Sequence, residues 1–164
     1  MAALRDVVAY ICAHYAVKED LSKARLAKMI YLADWRSAIT RGQQITAIRW
    51  QFNYYGPYVD EVVDEARRDP AFQVVPMINR YGDPKEVVRV RDDVTYPSLK
   101  KDDQDILDFV IASVASKNWT DFKRLVYSTY PIVTQPRFST LDLVALAEKY
   151  KQEQSIKRDG PGAP

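Results

Sequence analysis

Leu4, Val7, Val8, Ile11 and Tyr15 recur every three or four positions, which predicts a first amphipathic helix ending before Val17–Asp20. The next apolar segment is of another kind. Met29-Ile30-Tyr31-Leu32-Ala33 runs without a polar break, and five consecutive apolar positions cover the whole circumference of a helix. This second helix, capped by Asp20 or Ser22 and reaching about Ile39, is therefore the one the others pack around. On its wheel Arg25, Lys28 and Arg36 share one narrow stripe, whereas Asp34 falls opposite, among Ala27, Ile30 and Ala38, where a half-buried carboxylate needs a donor. Thr40–Gln44 is polar and broken at Gly42, and residues 45–53 then alternate loosely, as a short strand or an extended loop.

Further along, the period changes twice. Gly56 reads as the N-cap and Pro57 as the first residue of a third helix over Tyr58–Arg68, because proline's missing N–H has no intrahelical partner at that position. Val59, Val62, Val63 and Ala66 follow at helical spacing, with Asp60 and Glu61 at the start and Arg67 and Arg68 at the end complementing the dipole. Asp69-Pro70 closes it. Phe72–Asn79 and Glu86–Arg91 are rich in β-branched residues and flank Tyr81-Gly82-Asp83-Pro84, which predicts a hairpin with Pro76 on an edge or bulged strand and Arg89 and Arg91 on the outer face. Three helices complete the pattern. Ile106, Phe109, Val110 and Val114 mark one, preceded by Asp102, Asp103 and Asp105; Thr120 caps the next, with Phe122, Leu125, Val126 and Thr129 inward and Pro131 at its end. Ser139 to Asp142 starts the last, where Leu143, Leu146, Ala147 and Tyr150 are spaced for burial. The expectation is a mainly α (α+β) fold: a compact bundle of about six helices around a central apolar helix, with one small antiparallel β-hairpin. It occupies a single domain over 1–150, and residues 151–164, with almost nothing to bury, form a disordered tail.

A chain of 164 residues suits one domain able to bury a core without disulfides or metal. The lone Cys12 has no internal partner and fits a reducing compartment. The first fifteen residues lack the basic start and apolar run of a signal peptide, and no apolar run approaches the ~18 residues of a membrane span, so a cytoplasmic protein is expected. The net charge of +2 and pI of about 8.6 fall short of the basic character, pI above ~9, of a strong nucleic-acid candidate. Eleven tyrosines and three tryptophans exceed what one small core needs, and both types are favoured at protein interfaces.

Catalytic chemistry is thin. His14 has no cysteine or second histidine at ligand spacing, which argues against zinc and leaves no metal or cofactor expected. Phosphate-cradling glycine loops and nucleophile elbows are missing. The carboxylates Asp60-Glu61-Asp64-Glu65 and Asp102-Asp103-Asp105-Asp108 sit at helix starts, where a solvated, dipole-complementing role is expected. Cys12, beside Ile11, reads as a small buried residue. An enzyme is not expected. The competing class is a winged-helix-like nucleic-acid-binding regulator whose wing carries Arg80, Lys85, Arg89 and Arg91, but no helix is a basic recognition helix.

From Ala24 to Tyr58 the chain resembles the SocA-like antitoxin family, the Panacea domain. Lys28, Tyr31, Leu32, Ala33, Asp34 and Trp35 match its helix, Gly42, Ile45 and Thr46 its loop, and Tyr55-Gly56-Pro57 its most distinctive tripeptide. Tyr54, Tyr58 and Tyr130 depart from its usual residues. The resemblance implies the antitoxin half of a bacterial or phage toxin–antitoxin pair. Such a protein neutralises a cognate protein toxin, for example an alarmone-synthetase-like or Fic-type enzyme, by direct binding, as a chaperone or as an adaptor that delivers the toxin to a protease. On this reading Tyr31, Trp35, Arg49, Trp50, Tyr54, Tyr55 and Tyr58 form an aromatic, arginine-bearing contact face of the residue types that dominate interface energetics. Lys28, Asp34, Gly42, Thr46, Gly56 and Pro57 carry the structural motif, with Asp34 as a donor-satisfied carboxylate and Gly56 as a hinge.

Overall fold

In the computed structural model, which describes residues 1–159, helix α2 (Lys23–Arg41) is the axis and every residue from Arg25 to Trp35 is buried. Ser22 is its cap, with Oγ accepting from the Arg25 N–H at 3.1 Å. It stops at Gly42, whose φ of +73° continues no helix and whose N–H donates to the Ala38 carbonyl. Around α2 pack α1 (Leu4–His14), α3 (Glu61–Arg68), α4 (Lys101–Val114) and α7 (Leu143–Asp159), while α5 (Trp119–Tyr127) and the short α6 (Tyr130–Thr134) lie between α4 and α7 in the chain. The described residues are 54% helical in seven α-helices, a mainly α (α+β) fold around a central apolar helix. Among them no helix is long and apolar enough to cross a membrane.

Two small antiparallel sheets complete the fold. The expected hairpin is present as β3 (Phe72–Ile78) and β4 (Pro84–Val90), in unbroken register from Phe72 opposite Val90 to Ile78 opposite Pro84. Pro76 is tolerated without a bulge because β3 is paired only on its β4 side, and its other edge needs no donor. Val88 N–H donates to the Leu21 carbonyl at 3.1 Å, which pins β4 to the chain entering α2.

The second sheet was not expected. Its strands are β1 (Trp50–Asn53), β2 (Gly56–Tyr58) and β5 (Thr140–Leu141), in the order β2-β1-β5. Gly56-Pro57 therefore does not open a helix. Gly56 pairs with Asn53, Pro57 with Phe52 and Tyr58 with Gln51, while Tyr54 and Tyr55 make the connecting turn. The glycine is required here by its φ of +94°, and a Cβ on it would meet the Tyr127 ring at 3.2 Å. Helix α3 begins only at Glu61.

Other boundaries move for local reasons. Asn118, not Thr120, caps α5 by accepting from the Asp121 N–H at 2.8 Å. Pro131 does not end that helix but sits in the first turn of α6. Thr140 and Leu141 pair with β1, so the cap of α7 is Asp142, which accepts from the Ala145 N–H at 3.1 Å. Helix α4 starts at Lys101 and so contains Asp102, Asp103 and Asp105. Phe109 is exposed on it, under the Arg36 guanidinium at 3.4 Å. The segment from Lys151, expected as a disordered tail, continues α7 to Asp159; the rest of that expectation, 160–164, lies outside the described residues.

Candidate functional site

The loop after α2 folds back on Asp34. Asp34 Oδ1 accepts from the N–H groups of Ile45 (2.9 Å) and Thr46 (3.0 Å). Its Oδ2 accepts from Thr46 Oγ1 (2.6 Å), the Trp50 indole N–H (2.9 Å) and Gln44 Nε2 (3.3 Å). Complete burial pushes its pKa up to about 6, against the opposing hydrogen bonds from Thr46, Trp50 and Ile45. The group is thus ionised at neutral pH, as five donors and no acceptor require. Gln44 closes the knot by also donating to the carbonyls of Thr46 and Ile48. One buried carboxylate therefore gathers the loop and aims β1, which explains why Asp34, Gly42, Thr46 and Trp50 occur together. The knot is sealed, so it positions and does no chemistry.

What it positions is an exposed tip. Tyr54 and Tyr55, at the β1–β2 turn, are 62% and 75% exposed and pack edge to face at 5.0 Å. Phe138, 68% exposed, joins them with its ring 6.3 Å from that of Tyr54. The Arg137 guanidinium lies 5.8 Å from the Tyr54 ring and 5.9 Å from the Phe52 ring. Phe138 has φ of +70°, where a bulky side chain is an outlier. Its N–H donates to the Phe52 carbonyl at 2.6 Å and the Phe52 N–H to the Ser139 carbonyl at 2.8 Å, which hold the turn in that state.

The aromatic face read from the sequence is divided. Tyr31, Trp35 and Trp50 are interior and cannot be contact residues without unfolding. The Tyr31 hydroxyl pairs with Thr129 Oγ1 at 2.7 Å and its ring meets Trp50 edge to face at 5.6 Å, while Trp35 stacks on Tyr130 at 6.3 Å and meets Tyr150 edge-on at 5.8 Å. Arg49 is exposed and Tyr58 half-buried. Phe138 and Arg137 were missed; the available signal was a bulky apolar residue set in a Pro136-Arg137-Phe138-Ser139 loop.

Two of the four hairpin cations, Lys85 and Arg91, are answered locally, and the hairpin's Glu86 answers cations of α2 and α3. Glu86 lies between Lys23 (2.9 Å) and Arg67 (2.6 Å), Arg91 pairs with Asp93 at 3.3 Å, and Lys85 donates to the Glu19 carbonyl at 2.8 Å. Arg80 and Arg89 stay exposed. One carboxylate expected to be solvated is not: Asp103 is buried and pairs with Arg41 at 2.9 Å, whereas Asp108 stays exposed while accepting from the Tyr10 hydroxyl at 2.6 Å. Cys12 is buried, and burial pushes its thiol up to about 12. His14 stacks on Tyr10 at 4.0 Å with Nδ1 2.8 Å from the Tyr10 carbonyl. An open groove of about 450 Å³ beside α7 is lined by Ile39, Tyr150, Lys151, Gln154, Ser155 and Arg158, with no carboxylate, histidine or cysteine among them.

A family model described as antitoxin SocA-like, Panacea domain, matches residues 26–131. The matched span takes in the Asp34 knot, the β1–β2 turn and the β3–β4 hairpin but stops short of Phe138. Nothing matches among the curated proteins or the solved structures.

Proposed function

Because the chain belongs to the SocA-like antitoxin family of Panacea domains, we propose that it neutralises a cognate protein toxin by direct contact through the tip formed by Tyr54, Tyr55 and Phe138. The tip itself carries this reading. Tyr54 and Tyr55 on a two-residue turn and Phe138 on the loop beside it stand in solvent, with the Arg137 guanidinium 5.8 Å from the Tyr54 ring, and aromatic and arginine anchors dominate binding energy. Phe138 adds a second argument, since an outlying backbone that buries no side chain contributes nothing to the core. On this reading the chain is a binding protein rather than an enzyme and acts in the cytoplasm. Delivery of the toxin to a protease would add a later step to the same contact.

Co-expression with each neighbouring gene is the test. One neighbour is expected to arrest growth alone and to be rescued by this chain, with rescue lost on the combined change Tyr54→Ala and Tyr55→Ala although the variant remains folded. Toxin abundance separates the routes: it stays level under direct blocking and falls under proteolytic delivery. Absence of any toxic neighbour rescued by the chain would overturn the reading.

A further inference from the structure

Helix α2 carries two buried cations one turn apart, Arg25 and Lys28, and among the described residues neither has a counter-ion. Arg25 donates to the Tyr15 hydroxyl and the Lys117 carbonyl, both at 3.3 Å, and its guanidinium lies 4.7 Å from the Phe122 ring. Lys28 is 2% exposed, and among the described residues no carbonyl, hydroxyl or carboxylate accepts from its ammonium. The Tyr58 ring lies 5.7 Å away. Since no sealed polar side-chain atom among the described residues lacks a partner, this ammonium reaches solvent at its tip, as a recessed charge on a buried stem. A third cation, Lys123 on α5, acts on it; burial first, and Lys123 second, bring Lys28 down to about 8. Three cations elsewhere in the fold are answered: Arg41 by Asp103, Arg5 by Asp6 and Asp69, and Lys23 by Glu86.

A covered, unpaired ammonium costs stability, and a further cation beside it, Lys123, raises that cost. An anion supplied from outside removes the penalty. We propose that Lys28, beside Lys123, receives an acidic side chain of the toxin, an inference that rests on the antitoxin reading. Continuity with the tip favours a protein carboxylate over a free anion. Tyr58 is three residues along β2 from Tyr55, roughly 10 Å in extended chain, well within the ~800 Å² that each partner contributes to an ordinary interface. Aromatic anchors and a recessed cation then fall in one footprint.

Calorimetric titration of the toxin into the full chain, its Lys28→Met variant and its Lys123→Ser variant tests this. Methionine keeps the apolar stem and removes the charge. The expected result is a melting temperature at or above that of wild type and toxin affinity lower by on the order of tenfold or more. Lys123→Ser, at a half-buried position, is expected to weaken binding less but in the same direction, and it answers the question if Lys28→Met fails to fold. Affinity unchanged in a folded Lys28→Met, or in Lys123→Ser if that is the variant that folds, overturns the recessed-cation site while the antitoxin reading stands. Failure of the wild-type chain to bind toxin overturns both. Saturable binding of inorganic phosphate to wild type without toxin, abolished in Lys28→Met, would assign the site to a free anion and overturn the carboxylate of the toxin.

Discussion

Asp34 organises the region through charge and donors together. Its position on the wheel among Ala27, Ile30 and Ala38 already demanded a donor; the identity of the donors, two backbone amides, a hydroxyl, an indole and an amide side chain, comes from the loop that folds over it. Replacement by Asn puts an NH₂ where acceptor oxygen is needed, and Asp34→Asn is expected to lose about 3 kcal/mol of stability at neutral pH. The pH dependence has a definite sign. A carboxyl raised to about 6 in the folded protein holds its proton more tightly there than in the unfolded chain. Its contribution is therefore full below the ordinary carboxyl value, falls by on the order of 3 kcal/mol as pH rises to about 6, and is level above that. Asp6 and Glu86 are held below their ordinary values and act in the opposite sense at lower pH. Urea denaturation of wild type and Asp34→Asn between about pH 4 and 7 isolates the difference. Wild type is expected to show a step the variant lacks, and parallel profiles would contradict an ionised, raised Asp34.

The β1–β2 turn and the β5 strand act as one element, joined through Phe52, which exchanges backbone hydrogen bonds with Phe138 and Ser139. The left-handed backbone at Phe138 is a cost the fold carries to place an aromatic ring beside Tyr54. Glycine takes that backbone without strain, so Phe138→Gly is expected to leave stability unchanged or raise it by roughly 1 kcal/mol. The same change should weaken toxin binding by about 2 kcal/mol, because it removes one of three aromatic anchors. Thermal denaturation and calorimetry on one preparation read both effects. A loss of stability with binding intact would make Phe138 a packing residue and not part of the contact.

At the scale of the whole molecule, α7 is held at its start and free at its end: Leu143 and Ala147 are buried, whereas Lys151 to Arg158 are exposed apart from Gln154. Truncation after Gln152 removes the Tyr130–Glu153 hydrogen bond but little apolar burial. The melting temperature is expected to shift by only a few degrees, with helical circular dichroism reduced by the missing turns. A collapse of stability would show that the distal turns of α7 support the core. Residue spacing along the chain specified the helices with strong periodicity, the central role of α2, the β3–β4 hairpin and the family, because burial on one stripe or all round a helix is written in spacing. It also determined that Asp34 needs donors. The tertiary structure made Gly56-Pro57-Tyr58 a strand: the hairpin with residues 50–53 is extended by β5 and backed by the Tyr127 ring against Gly56, and neither β5 nor Tyr127 is local. It likewise decided which aromatics face water. Tyr31, Trp35 and Trp50 went inside and Phe138 outside because burial of an aromatic depends on what packs over it: Thr129, Tyr130 and Tyr150, far along the chain, cover Tyr31 and Trp35, while Tyr31 and Asp34 of α2 hold Trp50. The uncompensated charge at Lys28 has the same origin: a thin basic stripe on a helical wheel becomes a recessed cation only when α5 and β2 close over it.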